Sequence, residues 1–568
     1  MPILLLLLAL LLPVTVTAGQ FDNLTSCQLS TSSDLSGGTC TDIPPDNVAI
    51  PDLYDGTSAT KYDGAFGAQY FRIAVSVGVE KSSTQLIPDY AKVPAWNSDG
   101  TRLLLYSNNG WWHLLNGNTY AYIGAIDTGL SEDGLDSEPR WSHSDNQVFY
   151  YRSGMRLLSY NIGTQSSTTI KTFTTSNFGV TGSTLTAVRN GDEGNPDDTD
   201  RYWAFIGQTS GYVQGGVLVY DRTDDNVISG KTLGAGGVCG AGACPTSVNW
   251  IGMSHTGGHV VINWDLDSSD GVMTERGYGT EVFDRSLNYI GKISEKDWHM
   301  DMAQLADGTD VMVGVAHLDQ ENGYKAYRVT RLSDNTVIRS CYVPDAQYNY
   351  HVSGRTDGSK QRSWVLISIY GDGSGIGTGI FAAENFAMNV DNCTVRRIAH
   401  TQSNFKDGDY YSEPHASMNF DFTKIVWGSN WRVQGADDLA YVAELGTASD
   451  STPAAFSFAD AAGQGLSTVV TSDNVTVMAI DNTTTLTLTG TGCEYSVNGA
   501  AFATADDNVT LNDNVALRVT SSASHNTAVS CTLNIGGVTD VWRVTTLAAV
   551  NNPQTPRFRG SSMSGGWR

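Results

Sequence analysis

The chain has 568 residues, including 60 glycines and 25 tyrosines, with a charged fraction of 16% and a formal net charge of −25. This length exceeds one ordinary hydrophobic core and predicts two or three domains, and the composition is typical of many short strands and turns. The acidic balance argues against nucleic acid as a partner, because a protein that binds a polyanion normally carries a broad basic field.

The N-terminal sequence MPILLLLLALLLPVTVTAG is an apolar run that is too short to span a membrane and ends in small residues. We interpret residues 1–18 as a signal peptide, which predicts a secreted protein, extracellular or periplasmic, without a membrane span. The eight cysteines agree with export. Neighbouring cysteines predict local disulfides, and such bonds persist in oxidising compartments. The predicted pairs are Cys27–Cys40, Cys239–Cys244, Cys341–Cys393 and Cys493–Cys531.

Residues 19–65 are polar and predict an irregular leader that holds one disulfide. Residues 66–446 alternate strand-like runs with Asp, Gly and Asn turns, and one unit recurs loosely. Examples are VPAWNSDGTRLLLYS near Val93, EPRWSHSDNQVFYYRS near Glu138 and EPHASMNFDFTKIVWGSNW near Glu413. About seven such units, spaced roughly 45–65 residues apart, predict an all-β fold, a seven-bladed β-propeller. The alternative is one large β-sandwich, or two stacked ones.

The composition changes after Gly446. Residues 451–545 are rich in Thr and Val, alternate with a period of two and contain almost no cations. This pattern predicts a small Ig-like β-sandwich that is held by the Cys493–Cys531 pair. The polar, glycine-rich residues 546–568 predict a flexible tail.

A histidine stands at an equivalent place in three successive units: His299 in WHMDMAQ, His351 in YNYHVSGR and His415 in SEPHASM. In a propeller the first strand of each blade lines the central channel, so these three imidazoles would converge and could bind a divalent cation. The alternative is that each histidine hydrogen-bonds to the next blade and locks the two together.

The recurring W/A-S-x-D-G-T core resembles the TolB-type propeller repeat. The HVSGR…WVLIS and EPHAS…TKIVWGSNW segments resemble the oligogalacturonate-lyase group of propellers, and the C-terminal module resembles Ig-like modules of bacterial secreted proteins. This resemblance implies one divalent cation (Mn, Ca or Zn) held by His299, His351 and His415, with Gln347 as a further ligand. In that family the glutamine stands three residues before a metal-binding histidine, whereas Gln347 stands four residues before His351.

β-Elimination of a uronic acid needs three roles: a cation neutralises the carboxylate, a base removes the α-proton and an acid protonates the leaving oxygen. His351 or His415 is a candidate base, because the usual histidine pKa lies near neutrality. Tyr348 or Tyr350 is a candidate acid. Candidate carboxylate clamps are Arg355 and Arg140.

The sequence therefore predicts a polysaccharide lyase that cleaves an acidic extracellular glycan. The main alternative is a non-catalytic extracellular propeller that binds a glycan, a surface or a protein partner. Glycosidase chemistry is a further alternative, because it requires two opposed carboxylates. The acidic residues near inner-strand starts that could supply them are Asp89, Glu138, Asp301 and Glu413.

Overall fold

The computed structural model divides the chain into two compact units, Phe21–Gly446 and a unit containing Thr447–Arg568. It describes residues 24–31, 35–43, 50–51, 53–54, 61–62, 66, 69–73, 86–107, 110–126, 137–268, 272–296, 299–316, 325–343, 349–370, 379–405, 410–433, 438–445, 453, 456–477, 483–510 and 513–549. The predicted signal peptide lies outside these residues, as does the predicted C-terminal tail from residue 550 onwards. Thr546, the first residue of that predicted tail, is instead a buried residue at the end of a strand.

The described residues of the larger unit form strands with only short 3-10 turns such as Thr175–Phe178 and Tyr410–Ser412. The first fifteen strands are β1 (Ser26–Gln28), β2 (Lys61–Tyr62), β3 (Gln69–Arg72), β4 (Leu86–Ile87), β5 (Arg102–Ser107), β6 (Trp112–Asn116), β7 (Tyr122–Ala125), β8 (Arg140–Trp141), β9 (Val148–Ser153), β10 (Arg156–Asn161), β11 (Ser166–Thr172), β12 (Ala187–Arg189), β13 (Tyr202–Gln208), β14 (Gln214–Asp221) and β15 (Asn226–Thr232). The next fifteen are β16 (Val248–Met253), β17 (His259–Trp264), β18 (Thr280–Asp284), β19 (Tyr289–Ser294), β20 (Asp301–Gln304), β21 (Asp310–Ala316), β22 (Lys325–Arg331), β23 (Val337–Val343), β24 (Asn349–Ser353), β25 (Trp364–Tyr370), β26 (Glu384–Asn389), β27 (Thr394–His400), β28 (Ser417–Met418), β29 (Lys424–Ser429) and β30 (Leu439–Glu444).

These strands form a succession of antiparallel sheets in which neighbours in sequence are neighbours in space. Four sheets take four consecutive strands each: β8–β11, β12–β15, β16–β19 and β20–β23. A fifth contains β24–β27, and β1 adds to its outer edge beside β27. The predicted leader thus contributes a strand to this unit, and its Cys27–Cys40 disulfide lies beside that strand.

The two ends of the repeat meet in one nine-stranded sheet. The N-terminal strand β3 pairs antiparallel with β30, the last strand of the unit, through four residue pairs. β30 also touches β4, which opens the β4–β7 group, through the single parallel pair Leu439–Leu86. The succession of up-and-down antiparallel sheets is that of a β-propeller.

Successive sheets pack face to face, because their middle strands are apolar on both sides. In β13, Trp203 and Phe205 pack with Tyr150 of the preceding sheet, whereas Ala204 packs with Ile251 of the following one. Alternate residues of a strand point to opposite faces, so one apolar run serves two neighbouring interfaces.

The smaller unit contains nine strands: β31 (Ala461–Gln464), β32 (Val469–Thr471), β33 (Val475–Thr476), β34 (Thr484–Thr489), β35 (Glu494–Val497), β36 (Asp507–Val509), β37 (Asn514–Thr520), β38 (Ala528–Ile535) and β39 (Val538–Thr546). They form two sheets, β31-β39-β38-β34-β36 and one in which β37 pairs with β32, β33 and β35. Side chains of both sheets, including Leu517, Leu533 and Trp542, share one buried core. A predominantly β module after the propeller is therefore present.

The four predicted cysteine pairs are confirmed as disulfides. Cys341–Cys393 joins the outer strand β23 to the turn before β27, and Cys493–Cys531 joins the two sheets of the smaller unit. The described residues include no helix with the length and hydropathy that crossing a bilayer requires.

Candidate functional site

The structure brings the three predicted histidines together. His351 lies in β24, His299 lies two residues before β20 and His415 lies two residues before β28. Each therefore lies in or just before a strand of a different sheet. The His351 ring lies 4.4 Å from the His299 ring and 4.7 Å from the His415 ring, between centroids. Equivalent positions in three sheets therefore converge.

Glu413 completes this group, which we call the histidine cluster (His299, His351, Glu413, His415). Its Oε2 lies 2.8 Å from His351 Nε2 and 3.3 Å from His415 Nε2. His351 Nδ1 lies 2.8 Å from His299 Nδ1, so both ring nitrogens of His351 are engaged. His415 Nε2 is buried, and it has no hydrogen bond of good geometry among the described residues.

Three tyrosines surround the cluster. Tyr90 Oη lies 2.9 Å from His299 Nδ1, and the Tyr90 ring lies 4.9 Å from the His415 ring. Tyr370 stacks on His351 with centroids 5.0 Å apart, and Tyr410 lies 4.8 Å from His415. Tyr370 reaches His351 because β25 pairs with β24, where it stands opposite Asn349, two residues from His351 on the same face.

The cluster is buried on one side and open on the other. His351 and His415 are each 1% exposed, whereas Tyr410 is 51% exposed. His299 and Glu413 are half-buried. A ligand would therefore approach the cluster past Tyr410, His299 and Glu413.

Burial sets the protonation of these groups. It lowers the pKa of His299 to about 4, with the Lys92 ammonium adding to the effect. Burial also lowers the pKa of His351, and the adjacent His299 lowers it further. Burial alone would raise the pKa of Glu413, but the hydrogen bond from His351 and the neighbouring His415 outweigh it, so the pKa lies below its usual range. At neutral pH the cluster thus contains the neutral imidazoles of His299 and His351 and the Glu413 carboxylate.

The tyrosines keep their protons under the same conditions. Burial raises the pKa of Tyr90, and the nearby Glu193 raises it further. Burial likewise raises the pKa of Tyr370, and the Glu413 carboxylate raises it further. Burial also raises the pKa of Tyr410, and there the Glu193 carboxylate adds to the effect. Tyr410 is therefore a protonated hydroxyl at the open side of the cluster.

The donor set fits a divalent cation. One ligand atom from each of His351, Glu413 and His415 can be chosen so that all three lie within 4.8 Å of one another. Donors on one first-row ion, with bonds of about 2.0–2.2 Å, stand roughly 3–4.4 Å apart, so small side-chain movements would suffice. Imidazole with carboxylate suits zinc or manganese, and His415 Nε2, which makes no hydrogen bond of good geometry among the described residues, is available as a ligand atom.

Arg140 and Arg355 lie together elsewhere, where they line one small pocket with His143. Arg140 donates to the backbone oxygens of Gly194 and Asp192, at 2.9 and 2.6 Å. Within the described residues neither guanidinium forms an ion pair or hydrogen bond with the histidine cluster.

Arg355 donates from Nη2 to the Met253 carbonyl oxygen at 3.0 Å, and its Nε lies 3.6 Å from Asp301 Oδ1. Arg355 stands four residues after His351, and Asp301 two residues after His299. Arg355 and Asp301 therefore lie just beyond the cluster histidines along the same two chain segments.

Tyr350 lies on the opposite face of β24 from His351. Its ring is edge-on to Tyr327 in the core between sheets, and its hydroxyl accepts a hydrogen bond from the Val315 N–H at 2.8 Å. The structure thus places Tyr350 away from the cluster. Tyr348 and Gln347 lie outside the described residues.

Other histidines join neighbouring sheets. His143 Nδ1 lies 2.8 Å from Asp200 Oδ1, and His255 Nδ1 lies 2.8 Å from Asp198 Oδ1. Each of these pairs connects two sheets. Locking of this kind is present at His143 and His255, and the His299–His351 and His351–Glu413 contacts of the cluster also join neighbouring sheets.

Among the carboxylates considered for glycosidase chemistry, Glu138 forms a buried ion pair with Arg152. Asp89 lies 3.9 Å from Arg140 Nη1, and burial raises the pKa of Asp89 to about 7. Glu413 belongs to the histidine cluster instead. The four carboxylates are thus distributed over separate ion pairs.

Sequence reasoning missed Tyr90, Tyr370 and Tyr410 as neighbours of the cluster. Tyr410 precedes the Ser-Glu-Pro-His segment, and Tyr90 opens the first repeat, so proximity to inner-strand starts was the available signal. Lys92 was also missed. It forms a buried ion pair with Glu193 and lies 4.3 Å from the Trp250 ring.

No family model matches the chain, and no curated protein matches it. Solved structures that it resembles include the Cps50 (Swd1) β-propeller domain of Myceliophteria thermophila, at 9% identity and a TM-score of 0.35, over 65% of this chain and 99% of that one. The Neurospora crassa Pan2 WD40 domain matches at 10% identity and a TM-score of 0.37, over 62% and 88% of the two chains. A chain of a mitotic checkpoint complex matches at 9% identity and a TM-score of 0.35, over 70% and 98%.

Proposed function

We propose that this protein is a secreted polysaccharide lyase that cleaves a uronic-acid-containing glycan by β-elimination at the histidine cluster. The observation that carries the proposal is the convergence of His299, His351 and His415 with Glu413, beside a protonated and half-exposed tyrosine. The four disulfides support export, because such bonds persist in oxidising compartments.

The architecture proposed for this enzyme is a seven-bladed propeller followed by an Ig-like module. Dividing the nine-stranded sheet at the single Leu86–Leu439 pair leaves the group β4–β7 and the group β28–β30 with β3 and β2. Together with the five other sheets of the larger unit, these groups make seven blades. The TolB-type and oligogalacturonate-lyase-like resemblance rests on the repeat motif and on the paired histidine segments.

In this proposal His351, His415 and Glu413 hold a divalent cation. When bound, the cation neutralises the uronate carboxylate and makes the proton on the neighbouring carbon more acidic. His351 Nε2 and Glu413 Oε2 lie 2.8 Å apart, so the two groups already face one point at which they would hold the ion.

His299 is the proposed base. His351 and His415 serve as ligands in this proposal, whereas His299 is neutral at pH 7 and half-buried at the open side. It takes the proton from the carbon next to the carboxylate while the bond to the glycosidic oxygen breaks and a carbon–carbon double bond forms. Tyr410, protonated and half-exposed, supplies the proton to the leaving oxygen.

The test is the ultraviolet absorbance of unsaturated uronyl products over a panel of uronic-acid polysaccharides, with and without EDTA. We expect the wild-type chain to produce the signal, EDTA to abolish it, and His299→Gln and Tyr410→Phe to reduce it at least about a hundredfold. Asp224→Asn, which changes an exposed carboxylate in another sheet, serves as the control. Absence of the signal on every substrate from folded protein would contradict the proposal.

A non-catalytic propeller that binds glycan is the second candidate. The observation that favours it is the burial of His351 and His415, each 1% exposed, which is compatible with a structural hydrogen-bond network. In that case His299→Gln would leave glycan retention unchanged, and no substrate would yield unsaturated products.

A further inference from the structure

A groove separate from the histidine cluster lies at one end of the β12–β15 sheet. Its walls are residues 180–183, the turn between β13 and β14, the end of β15, and residues 244–247 that follow the Cys239–Cys244 disulfide. Its cavity volume is roughly 590 Å³, and it is open to solvent. This volume lies within the range of small-molecule sites, about 300–1,000 Å³.

The groove is uncharged. Fourteen of the described residues line it, and none of these fourteen side chains is charged at neutral pH. Five are serines or threonines with hydroxyl groups: Thr181, Ser183, Thr232, Thr246 and Ser247. This composition contrasts with a chain whose formal net charge is −25.

An aromatic ring stands at the rim. Tyr212 is 75% exposed, and its neighbour Val213 is 65% exposed. The backbone of Tyr212 has a φ of 61°, in the left-handed region that favours glycine. Such a conformation costs about 1–3 kcal/mol for a residue with a side chain.

The turn that presents Tyr212 is held by its own hydrogen bonds. The Tyr212 N–H donates to the Thr209 carbonyl oxygen at 3.0 Å, and the Val213 N–H donates to Thr209 Oγ1 at 3.3 Å. Gln214 then fastens the turn to the next sheet, because its side chain makes two hydrogen bonds with the Val248 backbone, at 2.8 and 2.7 Å. The ring is therefore presented on a fixed support.

We propose that this groove is a binding subsite for a neutral polysaccharide segment. The apolar C–H face of a sugar would stack on the Tyr212 ring, and sugar hydroxyls would hydrogen-bond to Thr181, Ser183 and Thr246. Tyrosine suits this role because it offers a large contact area with little loss of conformational entropy. The hydroxyl-lined floor supplies donors and acceptors without fixed charge.

The absence of charged side chains among the residues that line the groove favours one class of ligand over others. An acidic glycan or a phosphorylated group would be expected to meet arginine or lysine, and a basic peptide would meet carboxylates. The groove offers neither. The subsite is independent of the elimination chemistry proposed above, and it would retain the enzyme on a mixed wall polymer while the histidine cluster acts on another segment.

The test uses affinity gel electrophoresis of the full chain in gels that contain xylan, mannan, galactan or a β-glucan, with polygalacturonate and alginate gels beside them. The variants are Tyr212→Gly and Tyr212→Phe, with Tyr289→Ala as the control for an exposed ring in another sheet. Glycine suits the left-handed backbone, so Tyr212→Gly should have a melting temperature equal to or above that of the wild type.

We expect at least one neutral glycan to retard the wild type, Tyr212→Gly to weaken that retardation about tenfold, and Tyr212→Phe and Tyr289→Ala to retain it. Glu413→Gln should retain it as well, which separates this subsite from the histidine cluster. The proposal is overturned if no neutral glycan retards the wild type, if Tyr212→Gly binds as the wild type does, or if Glu413→Gln removes the retardation.

Discussion

Replacing Glu413 with glutamine tests whether the histidine cluster is a metal site. The change keeps the shape of the side chain and removes the carboxylate that lies 2.8 Å from His351 Nε2 and 3.3 Å from His415 Nε2. We expect the affinity for Mn²⁺ or Zn²⁺ to fall about 100-fold, because even an outer-shell partner of a metal ligand is worth roughly 10–100-fold.

The corresponding free energies follow from linkage. At a metal concentration 100 times the wild-type Kd, binding stabilises the folded state by about 2.7 kcal/mol. A variant with a 100-fold higher Kd gains only about 0.4 kcal/mol at that concentration, so the metal-dependent stabilisation differs by about 2.3 kcal/mol. Loss of a charge-assisted hydrogen bond costs a further 1.5–3 kcal/mol or so, with or without metal.

Isothermal titration of the full chain with Mn²⁺ and Zn²⁺ measures the affinity, and urea unfolding with and without metal separates the two energies. Asp224→Asn controls for the loss of a carboxylate at an exposed position. Equal metal affinity in Glu413→Gln and the wild type would refute the assignment of Glu413 as a ligand. Absence of binding by the wild type would refute the metal site.

Three further predictions concern other positions. Burial opposes ionisation of Asp310, but its hydrogen-bonding neighbours, Thr256 among them, outweigh it and lower its pKa to about 2. The carboxylate therefore contributes about 2 kcal/mol above pH 4, which is lost as the pH falls towards 2, and urea unfolding of Asp310→Asn should lack this acid-dependent loss. Gly191→Ala should destabilise the protein by about 3 kcal/mol or more in urea unfolding, because φ is 75° and the new Cβ would lie 1.9 Å from the Asn249 carbonyl oxygen. Tyr350→Phe should cost about 1 kcal/mol in the same measurement and leave lyase activity unchanged.

Each of these three predictions has a matched comparison or an outcome that would contradict it. Gly182→Ala has a similar φ of 83° with no atom within 4 Å of the added Cβ, so a loss as large as that of Gly191→Ala would contradict the steric argument. Tyr410→Phe is the partner of Tyr350→Phe, and a larger activity loss in Tyr350→Phe would reverse their assigned roles. For Asp310, an unchanged pH profile in the asparagine variant would assign the acid sensitivity to other carboxylates.

The sequence determined the features that depend on short-range patterns. The recurring strand–turn–strand unit predicted a β-propeller because alternating apolar runs and Asp/Gly/Asn turns specify local hairpins. The cysteine pairs were readable because each partner lies close in sequence. The convergence of His299, His351 and His415 was also predictable, since equivalent positions in a repeated unit become neighbours around an axis.

Tertiary structure decided what the sequence left open within the site. Glu138 and Glu413 both stand in a Ser-Glu-Pro motif. Glu138 nevertheless pairs with Arg152 in the sheet that follows it directly, whereas Glu413 pairs with His351 of the preceding sheet. Tyr350 and His351 are adjacent in sequence, and strand alternation places them on opposite faces.

Tyr370 enters the site only through the pairing of β25 with β24. Tyr90 and Tyr410 arrive from segments more than 300 residues apart. Contacts between distant segments depend on the register and packing of whole sheets, which a local pattern does not encode.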